Sequence, residues 1–388
     1  MKNLLYLSLV TLFSCTHPSP RSEWSELDKV SRVKCRDFVK DQAFISIDEL
    51  TRVNNSTEEF VIKSTNRRGQ VNLYYFKDLQ NKNIRRPLML GLELNDIYAG
   101  LIRMNNETLL TLFRPLGEHR YELSLRSVME DNRVVFNQTI SLSQDILDVK
   151  SLAHKGKVYF ILKLGNIDTS VEDAVNNIVV LDSKFNIQII DTLQNIPSRI
   201  ELVFGENEGA FIVYKPSDET NLFLFQNILD NGRLAPPRSL EIQSKFNIDR
   251  WYVLQSGAAT FLYYMEGDSF SGDSSLKLVR VASNNHQTKR AVWTHTINLD
   301  YVHTSRPFLL RSGNLNTLFF PQWLDDEATV VRYEISDEGQ KLSSINLGIF
   351  NQGTGVNDVF TDHNNKITMI LRVSNRESLG FHFKTCSL

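Results

Sequence analysis

The sequence predicts an all-β protein made of seven repeats of four short strands, and three observations carry that prediction. Short apolar strands centred on Phe60, Leu110, Phe160, Ile212, Leu262, Phe319 and Met369 recur at spacings of roughly 50 residues. Each follows a turn rich in Asn or Gly, such as Asn54-Asn55, Asn105-Asn106, Lys155-Gly156, Asn207-Glu208-Gly209, Ser256-Gly257, Ser312-Gly313-Asn314 and Asn364-Asn365. These residues tolerate the positive φ angles that tight hairpins require. Helical periodicity is scarce throughout the chain.

Around each apolar strand the rest of a four-stranded unit can be traced. A preceding strand is expected over 97–104, 147–154, 199–204, 251–255, 307–311 and 356–361. A third strand follows over 121–128, 177–182, 221–227, 276–282 and 330–335. Polar turns such as Asp182-Ser183, Asp230-Asn231-Gly232 and Asp337-Glu338-Gly339 then lead to a fourth strand, as at 187–193 and 292–297. Four short strands with this period fit the blades of a β-propeller, and seven units without a capping repeat suit a closed ring, which removes exposed sheet edges. The seventh unit is one strand short. Residues 33–39 precede the first inner strand (44–52) in the right order to complete it, so the predicted architecture is a seven-bladed β-propeller closed by an N-terminal strand.

That closure concerns the cysteines. The chain has three, Cys15, Cys35 and Cys386. Closing the ring would lay Cys35 beside Cys386 on adjacent strands, where a disulfide forms if the Cα atoms lie within about 7 Å. Two unrelated buried thiols are the alternative.

Lys2 and the apolar run Leu4-Leu5-Tyr6-Leu7-Ser8-Leu9-Val10-Thr11-Leu12-Phe13 form a positive and then an apolar region. The run is too short for a spanning helix, which needs about 20 residues, and reads as an export signal. It ends in Leu12-Phe13-Ser14-Cys15. This resembles the lipobox of bacterial lipoproteins, and the resemblance implies lipidation of Cys15, which becomes the new N-terminus. Residues 1–14 are then the signal peptide, 15–32 a tether containing His17-Pro18-Ser19-Pro20, and 33–388 the propeller domain. The resemblance also implies a bacterial cell envelope, with Thr16 rather than Asp after the cysteine pointing to the outer membrane. Stable anchoring takes more than one acyl chain, and a lipoprotein terminus provides two or three.

Composition narrows function by exclusion. With 388 residues, 41% of them hydrophobic and 23% charged, the chain can bury a substantial core. A formal net charge of -2 gives no general attraction to nucleic acid, which relies on concentrated Lys and Arg. The sequence holds no His-Glu-x-x-His, Cys-x-x-Cys, Gly-x-Ser-x-Gly or phosphate-cradling Gly-rich motif. The eight histidines are scattered without metal-ligand spacing, and His154, His295, His363 and His382 read as solvated turn or strand residues. No cofactor and no metal is therefore expected. Blade signatures of the Trp-Asp, kelch, sialidase-like and quinoprotein propellers are absent as well.

The loops joining second to third strands are the remaining candidate. Blades three to six contribute acids, including Asp168, Glu172, Asp173, Asp218, Glu219, Glu266, Asp268, Asp273, Asp325, Asp326 and Glu327, while blades one, two and seven contribute Arg67, Arg68, Arg114, Arg120 and Arg376. An acidic arc opposite a basic arc would orient a polar partner by charge complementarity. Trp323, in Pro321-Gln322-Trp323, is expected in one of these loops as an aromatic contact or a packed side chain. The expectation is a lipid-anchored propeller that binds or scaffolds an envelope protein or glycan. The competing expectation is a glycosidase or lyase, which would need two carboxylates about 5 to 9.5 Å apart at the channel mouth.

Overall fold

Each apolar strand found in the sequence is the second strand of a four-stranded antiparallel sheet. The computed structural model describes residues 35–38, 49–52, 59–65, 71–76, 88–92, 95–104, 107–128, 133–165, 175–182, 184, 186–193, 199–205, 209–229, 233–248, 250–256, 258–267, 275–282, 288–297, 307–312, 314–324, 327–350, 354–361, 366–374 and 379–387.

After β1 (Cys35–Phe38) the chain runs through the sheets in order. The first holds β2 (Glu49–Arg52), β3 (Phe60–Thr65), β4 (Val71–Phe76) and β5 (Leu88–Gly91); the second holds β6 (Ile97–Met104), β7 (Glu107–Gly117), β8 (Arg120–Ser127) and β9 (Val134–Ser141). The third holds β10 (Asp145–His154), β11 (Lys157–Gly165), β12 (Val175–Leu181) and β13 (Ile187–Leu193), and the fourth β14 (Ile200–Gly205), β15 (Gly209–Tyr214), β16 (Leu222–Asn227) and β17 (Arg238–Glu241). The fifth holds β18 (Trp251–Ser256), β19 (Ala259–Glu266), β20 (Ser275–Val281) and β21 (Ala291–Ile297), and the sixth β22 (Phe308–Ser312), β23 (Leu315–Leu324), β24 (Glu327–Ser336) and β25 (Lys341–Phe350). In the last, β26 (Thr354–Thr361), β27 (Lys366–Ser374) and β28 (Leu379–Ser387) are joined by β1, which pairs antiparallel with β28 and sets Cys35 opposite Cys386.

Burial explains why the second strands are the legible ones. β11 (KVYFILKLG), β15 (GAFIVY) and β19 (ATFLYYME) are covered almost end to end, so both faces must be apolar and the text becomes a continuous hydrophobic run. Outer strands such as β9 and β21 are exposed or half-exposed at all but one position and read as mixed sequence.

Consecutive sheets pack face to face in chain order. Val61, Leu73 and Tyr75 of the first meet Leu101, Leu110 and Leu112 of the second. The second and third share a core containing Phe113 and Phe160, whose rings meet edge to face at 5.5 Å. Tyr159 and Ile161 of the third sheet join Ile212 and Tyr214 of the fourth; Phe223 of the fourth meets Trp251 of the fifth at 5.2 Å; Tyr263 of the fifth meets Phe320 of the sixth at 5.9 Å. Each such fully buried aromatic contributes about 1.5 to 3 kcal/mol by leaving water. The first strands β2, β6, β10, β14, β18, β22 and β26 neighbour one another in that order. The result is an all-β, propeller-like stack.

Two hairpins are longer than the sequence suggests. In the second sheet β7 and β8 run past the start of β6, so Arg114 is a strand residue opposite Glu122 and Arg120 opens β8; the turn is Glu118-His119, with φ of 47° and 58°. In the sixth sheet β23 and β24 continue past Phe319, the last residue paired with β22. Trp323 therefore lies in a strand opposite Ala328, not in a loop. Pro115 and Pro321 mark these extensions. Pro115 has no first strand alongside it in the register, so its missing N–H interrupts no ladder on that side.

Candidate partner-binding face

Within every sheet, the entry to the first strand and the turn between the second and third strands lie at the same end, because the four strands alternate direction. This end carries three polar constructions.

The first is on the second sheet. Asp96, just ahead of β6, has a side chain 1% exposed and receives Nε and Nη2 of Arg114 at 2.9 and 3.2 Å. A paired guanidinium satisfies a carboxylate that burial would otherwise penalise. Next to it, the tip of the β7–β8 hairpin is tied to the start of β10. The His119 backbone oxygen accepts from Leu142 N at 2.9 Å, and His119 Nδ1 lies 3.0 Å from Asp145 Oδ1. Tyr121 donates to the same oxygen at 3.0 Å while accepting from Ile146 N. The His119 and Tyr121 bonds hold the Asp145 carboxyl below its ordinary range, and burial raises the Tyr121 phenol. Arg120, Glu118 and the outer face of His119 remain exposed.

The second construction spans the first strands. Arg199 lies 5.2 Å over the Trp251 ring and 4.3 Å over Tyr252, with Nε and Nη2 both on Glu201 Oε1 at 3.2 and 3.0 Å. Lys150 of β10 donates to the Ile200 carbonyl. These contacts fasten the middle of β10 to the entering end of β14, and that end to the start of β18.

The third is on the fourth sheet. Lys215, only 3% exposed, ends the second strand and donates to Asp218 O, Asn247 Oδ1 and Ile248 O at 3.1, 3.2 and 2.9 Å. Asn221 donates to Phe246 O at 2.8 Å and accepts from Ile248 N at 3.0 Å. Together they fix the Asp218-Glu219 turn against the connection that leads to β18. Beside them opens a depression of about 740 Å³ lined by Thr220, Leu222, Glu241, Gln243, Ser244 and Lys245 among others. Phe246 stands at its margin, 48% exposed.

Of the residues singled out in the sequence, the structure brings Arg114 and Arg120 to one hairpin and commits Arg114 to Asp96. Asp218 and Glu219 are exposed on the fourth-sheet turn, and Glu266 pairs with Lys277 at 3.4 Å. Trp323 is placed by its backbone alone. Cys15, Arg67, Arg68, Asp268, Asp273, Asp325, Asp326 and Arg376 lie outside the described residues. Two histidines differ from expectation. His154 is stacked on Phe204 at 3.2 Å between the third and fourth sheets, and His295 is bonded through both ring nitrogens to the sixth sheet. Burial lowers the pKa of each. Lys215, Asn221, Asp96 and Arg199 carried no sequence signal, since a single charged or amide residue beside a strand is ordinary.

No family model matches the sequence, and no curated protein matches it. Among solved structures, the fold is similar to the core factor of S. cerevisiae, with a TM-score of 0.52 and 9% identity over 92% of this chain and 61% of that one. It also aligns with prolyl oligopeptidase B from Galerina marginata, at a TM-score of 0.48 and 9% identity over 89% of this chain and 52% of that one. Acylaminoacyl peptidase from Pyrococcus horikoshii aligns at 0.48 and 8% identity, over 87% and 52%. The chain spans between half and two thirds of the length of these proteins. At such identities the likeness concerns fold alone.

Proposed function

We propose that this chain is a lipid-anchored propeller of the bacterial cell envelope, with seven blades, that holds a protein or glycan partner on the face where the second-to-third hairpins turn. The observation that carries this reading is the fourth-sheet depression. Its rim carries the exposed Glu241, Gln243 and Lys245 over a wall that is mostly apolar, and its frame is held by the buried Lys215 and by Asn221. A rim ordered before binding loses less entropy on association, and mixed charge around it orients a polar partner. Proximity labelling from the anchored protein should recover an envelope neighbour whose yield falls at least several-fold in Glu241→Lys/Lys245→Glu. An unchanged set of neighbours would overturn the assignment of this face.

The anchor rests on the Leu12-Phe13-Ser14-Cys15 motif. Cys15→Ser is expected to release the protein from the membrane fraction without changing its thermal unfolding, as judged by fractionation and melting of the purified protein. Retention in the membrane would reject lipidation at this residue.

Ring closure rests on the pairing of β1 with β28. Directly opposed residues of antiparallel strands stand about 4.5 to 5.5 Å apart, within disulfide range. A non-reduced digest should therefore yield a peptide joining Cys35 to Cys386; both thiols found free would reject the bond.

A further inference from the structure

His295 lies on β21, the outer strand of the fifth sheet, and both its ring nitrogens reach the sixth. Nδ1 is 2.9 Å from the Gly339 carbonyl oxygen and Nε2 is 2.8 Å from the Tyr333 hydroxyl. A carbonyl can only accept, so Nδ1 carries the proton, and Nε2 then accepts from the Tyr333 O–H. The seam thus selects one tautomer of the neutral imidazole, the form in which Tyr333 keeps its role as donor.

The same turn is gripped elsewhere. Trp293 Nε1 donates to Asp337 O at 2.7 Å, Arg280 Nη1 donates to that oxygen at 2.8 Å, and Asn316 Nδ2 donates to Asp337 Oδ1 at 3.0 Å. The charged neighbours are distributed over every packed element. On β20, Arg280 stands 3.6 Å from Asp337 Oδ1, and Lys277 is bound to Thr296 and Glu266. On β24, Arg332 and Glu334 pair with each other on the face opposite Tyr333. The turn carries Asp337 and the exposed Glu338, and the Lys341 ammonium of β25 lies 5.4 Å from the Tyr333 ring. Asp337 is committed to Arg280 and Asn316. An imidazolium would therefore be a third cation beside Arg280 and Lys341, and it would force the Tyr333 oxygen from donor to acceptor.

We infer that the His295 contact is a pH-sensitive latch that holds the outer margin of the fifth and sixth sheets together while the ring is neutral and loosens it on protonation. Burial presses the His295 pKa below its ordinary value of 6.5, opposed by the Gly339 hydrogen bond and aided by Lys341. The opened seam thus binds the proton more readily than the closed one. Closure is at full strength above that ordinary value, weakens as pH falls below it, and levels off beneath the folded value.

Hydrogen exchange of the full chain, corrected for intrinsic rates, tests this on the amides of 336–340. Their protection should fall severalfold from about pH 7.5 to about pH 5, below the ceiling of about thirtyfold that one proton linked to an open-state pKa of 6.5 sets. It should be flat in His295→Gln, whose amide can donate to Gly339 and accept from Tyr333 at any pH. Tyr333→Phe keeps the imidazole but removes the donor that favours its neutral form, so its pH dependence should shrink. Equal pH dependence in all three proteins, or none in the wild type, would overturn the latch.

Discussion

Gly339→Ala is expected to destabilise the protein by about 3 kcal/mol, from a left-handed backbone cost of about 1 to 2 kcal/mol and an overpacking cost of about 1 to 3 kcal/mol. Gly339 has φ of 84°, and a Cβ built there would stand 2.7 and 2.8 Å from Cδ2 and Cγ of Trp293. The indole cannot retreat freely, because its Nε1 is held by the Asp337 carbonyl. Gly117 separates the two terms. Its φ is 93°, but nothing lies within 4 Å of its Cβ position. Gly117→Ala should therefore cost only the backbone share, about 1 to 2 kcal/mol. Urea unfolding of both variants checks this; equal losses would show that the Trp293 contact yields without cost.

Lys215→Met should lower stability by about 1.5 to 3 kcal/mol, because it leaves the buried Ile248 oxygen without its charged donor, while the oxygens of the exposed Asp218 and Asn247 can turn to water. The substitution keeps most of the side-chain volume, so the loss isolates the ammonium rather than a cavity. Partner recovery should fall together with stability, since the Asp218-Glu219 turn and the connection through Asn247 and Ile248 lose their common post. An unfolding midpoint within the error of the wild type would mean that the ammonium is not needed to hold the two segments together.

Much of the fold was legible before any coordinates. The strands centred on Leu110, Phe160, Ile212 and Leu262 became the buried second strands β7, β11, β15 and β19, because burial on both faces demands an apolar run that is visible in one dimension. The 1–2 turn at Lys155-Gly156 was legible too, and it has positive φ at both residues, 47° and 74°. The pairing of residues near Cys35 with those near Cys386 followed from counting strands in the seventh unit, and the register places the two opposite each other. The extended hairpins were less visible. Trp323 was expected in a loop, whereas β23 and β24 carry the pairing through Pro321 to Leu324.

The candidate site was less legible than the fold. Arg114, expected on the partner face, is bound to Asp96, a contact that no pattern in the sequence records; His295 was expected in solvent and instead bridges two sheets. By itself the sequence determined the repeat and the strand order within each sheet, because these depend on the alternation of apolar and polar residues close in the chain. Tertiary structure decided which polar groups meet: Lys215 with Ile248, Arg199 with Trp251, His295 with Gly339 and Tyr333. Those partners are brought together by the stacking angle and offset of whole sheets, and no periodicity in a single strand records that geometry.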